Sequence, residues 1–294
     1  MADLVESAFT PEDLDCLRQA KSKLEHPSLA ARISDAIGSP VEAGFKMLPR
    51  GWNVRIGKVT ESALLTGLEF AIRTMAKRTP LRALPPAAAP SPAGDITFEP
   101  LAAPPRPRRS HDWLHKALVV GTGAVGGALG FAALPVELPA STVVILRSIA
   151  DIARAEGHDL SLLETRFACL EVFALGGSRA GSHDAAETGY WVVRSALSRQ
   201  VTEAVTHIAG HGMDKNAPVI VRLVSKIAQR FSVAVSEQAA AMAVPVVGAV
   251  AGGAINYLFM QHFQDMASGH FVVKRLEKKY GHDAVRQMYE SLVA

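Results

Sequence analysis

Two cysteines among 294 residues, Cys16 and Cys169, are too few for a disulfide framework and show no metal-ligand spacing. Cys169 lies in an apolar helical run and reads as a core residue. A formal net charge of only +3 provides no global field for a nucleic acid, and none is expected as a partner. Few stretches alternate with period two, and no Asn-Gly or Asp-Gly dipeptide marks a hairpin, which argues against a β architecture. There is no H-E-x-x-H, and no Ser/His/Asp or Cys/His set assembles. The acidic opening MADLVESAFTPEDLD lacks a basic start followed by an apolar run. No secretory signal is expected, and the expected address is the cytoplasm, with peripheral association at the inner membrane.

What the chain has is apolar helix-forming sequence, 49% hydrophobic, with a mean hydropathy of +0.16. Ala239 to Met260 is a run of twenty-two uncharged residues, long enough to cross a bilayer. Leu118 to Leu134 repeats its theme, VVGTGAVGGALGF against VVGAVAGGAINYLF. Low overall hydropathy, and basic residues on both sides of the first segment, favour a packed core or a peripherally docking body over spanning. The spacings Gly126-x-x-x-Gly130 and Gly248-x-x-x-Gly252 would let two helix backbones approach closely. Gly121-x-Gly123-x-x-Gly126 also matches a dinucleotide fingerprint. That reading requires a second strand ending in an acid, and Pro135, Pro139 and a helical pattern follow instead. No cofactor is expected.

Helix signals divide the chain into N-terminal helices (1–79), a linker (80–110) and a helical core (111–294). Thr10-Pro11-Glu12-Asp13 is an N-cap with proline at the first helical position, and Ser39-Pro40-Val41-Glu42 repeats the signal. A third helix is expected from about Thr60, ending before Thr79-Pro80. Nine of the seventeen prolines fall between Pro80 and Arg109, a composition that buries too little apolar surface to order itself. Beyond it, Pro135 and Pro139 predict an irregular turn. Helices are then expected from Ser141 to a stop at Gly157, from a capping box at Ser161 to Gly176, and from Asp184 to about Ala209. Further helices follow from Val219, through the apolar run, and after Asp283. The expected fold is an all-α bundle centred on the two glycine-rich apolar segments.

Three groups of residues are candidates for chemistry. Asn256, His262, Asp265 and His270 put polar groups beside the most apolar sequence, either as an interhelical network or as the polar end of a pocket. Glu187, Tyr190 and Arg194 share a helix face at i, i+3, i+7, as ion-pairing residues do. Glu203, His207 and His211 stack at i, i+4, i+8 and could ligate a metal, although Gly210 and Gly212 should break the helix there. Basic residues cluster at Arg106, Arg108 and Arg109, and again at Lys274, Arg275, Lys278 and Lys279, where anionic headgroups could be met.

The blocks LPASTVVILRSIADIARAEGHDL, ETRFACLEVFALGG, ETGYWVVRSAL and IAQRFSVAVSEQAAAMAVPVVGAVAGGAINYLFMQHFQDMASGHFVVKRLEKKYG resemble, in order, those of the bacterial EcsC family. The resemblance runs from about Leu134 to Gly281, and the helices from Leu17 to Met75 are also similar. It implies a helical, hydrophobic protein of a family named for a protein encoded beside a secretion-linked ABC transporter. A peptidase label attached to some members finds no matching residues here. The expected function is non-enzymatic binding of a membrane surface, a lipid-like apolar ligand, or a membrane transport or secretion protein. The alternative is a metal-dependent hydrolase using the histidines and acids above.

Overall fold

A computed structural model of the chain describes residues 9–25, 29–37, 41–75, 134–177, 189–243 and 245–292. Among them are ten α-helices and no strand. They are α1 (Pro11–Leu24), α2 (Leu29–Ile37), α3 (Val41–Phe45), α4 (Trp52–Thr74) and α5 (Leu134–Ala155). Then come α6 (Leu163–Leu175), α7 (Tyr190–His211), α8 (Pro218–Ala243), α9 (Pro245–Tyr280) and α10 (His282–Ser291).

Two long helices organise the bundle. The 36 residues of α9 extend for about 54 Å. They carry α1, α2, α5, α6 and α10 along their length, while α8 packs on α9 and on α2, α3, α4, α6 and α7. Between them α6 is buried on every side from Thr165 to Leu175, as a helix apolar all round must be. Phe173 of α6 meets Phe231 of α8 and Phe263 of α9 at ring-centroid distances of 4.7 and 5.4 Å, with Phe259 packed behind Phe263 at 5.1 Å. Of the two glycine-rich segments, the second forms the start of α9; the first, with Gly126 and Gly130, lies outside the described residues. So does the proline-rich linker. Gly248 and Gly252 lie within α9, and Gly252 is buried.

Helices touch closely at other glycines. A Cβ at Gly44 would collide with the Ala240 carbonyl, so α3 rests directly on the α8 backbone. At Gly269 a Cβ would stand 2.9 Å from the Ala20 carbonyl oxygen, which is how α1 seats against α9.

Local chemistry explains most of the helix ends. Thr10 caps α1, accepting from the Asp13 N–H at 3.3 Å, with Pro11 behind it. Gly157, at φ +79°, stops α5 in a Schellman turn in which the His158 N–H bonds the Ala153 carbonyl at 2.9 Å. Four expectations are corrected. The third helix starts at Trp52, not Thr60, because Gly51 at φ +78° turns the chain into it and Trp52 and Ile56 extend its buried face. α5 begins at Leu134 and takes Pro139 inside it; Ser141 Oγ bonds the Glu137 and Leu138 carbonyls at 3.0 and 3.1 Å just beyond that proline. Ser161 does not cap α6, since its N–H and hydroxyl both turn back to Asp159 at 2.8 and 2.7 Å. The twenty-two-residue apolar run is divided between α8, which ends at Ala243, and α9, which opens on Pro245. Among the described residues no helix is long and apolar enough to cross a membrane.

Candidate functional site

Beside the C-terminal third of α9, helices α6, α7, α9 and α10 enclose a largely buried line of ionisable groups. Tyr190 and Arg194 stand one turn apart on α7. His270, Lys274 and Glu277 form an i, i+4, i+7 stripe on α9, and Glu171 projects from the middle of α6. The Arg194 guanidinium grips Glu277 with two hydrogen bonds, at 2.8 and 3.0 Å, and donates to the Tyr190 hydroxyl at 3.2 Å. Tyr190 in turn donates to His270 Nδ1 at 3.0 Å. That order of donors places the His270 proton on Nε2, which faces the Glu171 carboxylate 3.6 Å away. At the far end His282 Nδ1 meets Glu277 Oε1 at 2.7 Å. Trp191 packs edge-on against His282 and Tyr289 while the Arg194 guanidinium lies over its ring at 5.1 Å.

Burial sets the protonation of this line. Desolvation raises the Glu171 carboxyl, with Lys274 and Arg194 opposing it, and depresses the Lys274 ammonium, with Glu171 opposing it. His270 is completely buried, and desolvation backed by Lys274 and Arg194 drives it well below the ordinary histidine range, so its imidazole is neutral. Glu277 is desolvated too, but its hydrogen bonds to Arg194 outweigh that and hold it below the usual carboxylate range.

A cavity of about 410 Å³ opens beside the line. Its walls carry Glu164, Glu171, Lys274, Arg194 and His282, the hydroxyls of Ser195, Ser198 and Thr202, and the apolar Trp191 and Val201. Glu171 and Lys274 both border it, and neither side chain makes a hydrogen bond among the described residues.

The structure therefore joins three residues that the sequence presents as two separate groups, His270 with Tyr190 and Arg194. Glu187 lies outside the described residues. The other candidates sit elsewhere along α9. Asn256 Oδ1 accepts from Gln238 of α8 at 2.7 Å, and His262 Nε2–H donates to the Gly176 carbonyl at 2.8 Å. Burial holds the His262 imidazole down at about 4. Asp265 pairs with Arg32 of α2 at 3.0 Å on a partly exposed face. These contacts link α9 to α8, to the end of α6 and to α2, and leave Gln238 Oε1 and His262 Nδ1 buried without a hydrogen-bond partner among the described residues.

Glu203 and both α7 histidines share that helix, which continues through Gly210 and stops at Gly212, with φ +78°. Glu203 is drawn to Arg199 at 2.8 Å and the His207 and His211 rings stack at 5.0 Å. Among the described residues no group of three or more His, Cys, Asp or Glu is placed to hold a metal ion.

Glu171, Glu277 and His282 escape the sequence reading, and Lys274 enters it only as a member of a basic cluster. Glu171 was detectable as the lone charge in FACLEVFAL, since a carboxylate in a helix buried all round must have a partner. Lys274 is hidden within an apparent basic cluster whose other members find partners within the fold. Arg275 pairs with Glu156 and Asp13, Lys278 donates to His158, and Lys279 bonds Asp13.

The sequence model of the EcsC protein family matches this chain over residues 12–276. No curated protein and no solved structure matches it.

Proposed function

The chain belongs to the EcsC protein family, and from that premise we propose that it is a non-enzymatic binding protein. Its cleft between α6, α7, α9 and α10 takes a small polar molecule carrying both an anionic and a cationic group. The observation that carries this reading is the pair Glu171 and Lys274. Opposite charges border one cavity, each is shifted toward neutrality by burial, and each retains hydrogen-bonding capacity that a ligand would satisfy. Ser195, Ser198 and Thr202 add hydroxyls, and Trp191 supplies an apolar wall. So polar a wall favours a headgroup over a lipid tail, and a lipid-like ligand would enter by its polar end. Peripheral association with a membrane surface, beside a transport or secretion protein, is the setting in which we place this binding.

The metal-dependent hydrolase finds less support. No hydroxyl lining the cleft is hydrogen-bonded to a histidine among the described residues, and His270, flanked by Glu171 and Tyr190, is fully buried. Thermal melts of the full chain with glycine, taurine, phosphocholine, glycerol 3-phosphate and inorganic phosphate test the proposal. At about one hundred times its dissociation constant, a ligand stabilises by about 2.7 kcal/mol, a shift of a few degrees. Lys274→Met and Glu171→Gln should abolish the shift. If no probe moves the melting temperature, and mass spectrometry of the freshly purified protein finds no bound small molecule, the proposal fails.

A further inference from the structure

The turn between α3 and α4 carries apolar side chains that stand exposed among the described residues. Phe45 is 42% exposed, Met47 52% and Val54 65%. These are not scattered singly, as Leu162, Val192 and Val221 are on three other elements. They fall within ten residues of chain, with Leu48 half-buried among them. The same segment is strongly cationic. Lys46, Arg50, Arg55 and Lys58 are all exposed, and no Asp or Glu occurs from residue 43 to residue 60. Among the described residues none of the four makes an ion pair.

Helix geometry puts part of this set on one side. Val54, Arg55 and Lys58, at i, i+1 and i+4, lie on the solvent stripe of the first turns of α4, while Trp52, Ile56 and Thr60 face inward. The base is rigid. Trp52 is buried beneath the turn, Gly51 holds a left-handed conformation at φ +78°, and Gly44 presses on the α8 backbone. On the elements that precede it, Glu42 in the first turn of α3 and Asp35 on α2 are exposed.

We infer that this turn is the surface by which the protein docks on an anionic phospholipid bilayer, with Phe45, Met47 and Val54 entering the interface and the four cations meeting the headgroups. Charge complementarity selects the occupant. Apolar tips interleaved with cations suit an interface that is apolar below and anionic above. A nucleic acid would use the cations and leave the apolar tips in water. The inference rests on the membrane setting proposed above, and moves the contact away from α9, whose Arg275, Lys278 and Lys279 are engaged within the molecule.

Sedimentation of the full chain with vesicles is the test, using phosphatidylglycerol mixed with phosphatidylcholine against phosphatidylcholine alone. Binding should require the anionic lipid and weaken with salt. Each cation near such a surface contributes about fivefold to partitioning, so Lys46→Gln with Arg50→Gln should weaken binding about 25-fold. Phe45→Ser with Met47→Ser should weaken it at every salt concentration. Lys215→Gln with Arg222→Gln, exposed elsewhere, should change it far less. All these positions are at the surface, so unchanged melting temperatures confirm folding. If the wild type binds and both turn variants bind equally well, the docking surface is wrong although the membrane setting stands. If the wild type binds neither vesicle, the membrane setting fails and the docking surface with it. If instead the turn variants change only the oligomeric state, the patch is a contact between copies and the inference is overturned.

Discussion

Replacing His262 by glutamine tests whether buried neutral histidines make this fold acid-sensitive. Folded His262 donates its Nε2 proton to the Gly176 carbonyl, is 4% exposed, and is held at about 4 by desolvation, against an ordinary value of 6.5. Below pH 6.5 the unfolded chain therefore takes up a proton that the folded chain refuses until about pH 4. Stability from this group is present above pH 6.5 and is lost as pH falls between those values. From pH 7.5 to 5.0 the loss is about 2 kcal/mol for His262 alone. His158, 5% exposed and held by desolvation at about 4, adds to the fall in the same window, and His270 adds in the same direction. Glutamine keeps an amide donor for Gly176 and carries no titratable group. His262→Gln should cost about 1–2 kcal/mol at pH 7.5 from imperfect packing. Urea unfolding at the two pH values should then show the variant losing about 2 kcal/mol less than the wild type on acidification. Parallel losses in the two proteins would refute the reasoning, because they would mean that His262 is already protonated, or solvated, in the fold.

Gly44→Val should destabilise by about 1–3 kcal/mol or more, because its Cβ would strike the Ala240 carbonyl and push α3 off α8; a melt within a degree of wild type would show the two helices to be loosely joined. Cys169 is fully buried, with desolvation raising its thiol to about 12, so iodoacetamide at pH 8 should label Cys16 and spare Cys169 in the folded chain; a second native-state label would contradict that burial.

Local signals made much of the fold legible, and their failures share one cause. Thr10-Pro11 and Gly157 act through near neighbours and lie where their chemistry places them. Ser161 had two local options, and the nearby Asp159 carboxylate won over the helix N-terminus. Pro139 reads as a break, yet α5 continues through it with the buried Leu138 packed in the core. The candidate site was half legible for a related reason. His270, Tyr190 and Arg194 stand out as polar groups among apolar ones, but no spacing rule links positions eighty residues apart. Charge runs mislead most. Four basic residues from Lys274 to Lys279 form a block in sequence, and 100° per residue sets them as two i, i+4 pairs on adjoining stripes of α9, Lys274 with Lys278 and Arg275 with Lys279, where each meets different groups. One borders the Glu171 cavity, and the others meet Glu156, His158 and Asp13. The cations from Lys46 to Lys58 are sparser and make no such block. They make no ion pair among the described residues, and no acid lies within their own segment to neutralise them. Whether a basic run is available to a partner is thus decided by where the carboxylates of the fold are, and a count of lysines and arginines does not contain that information.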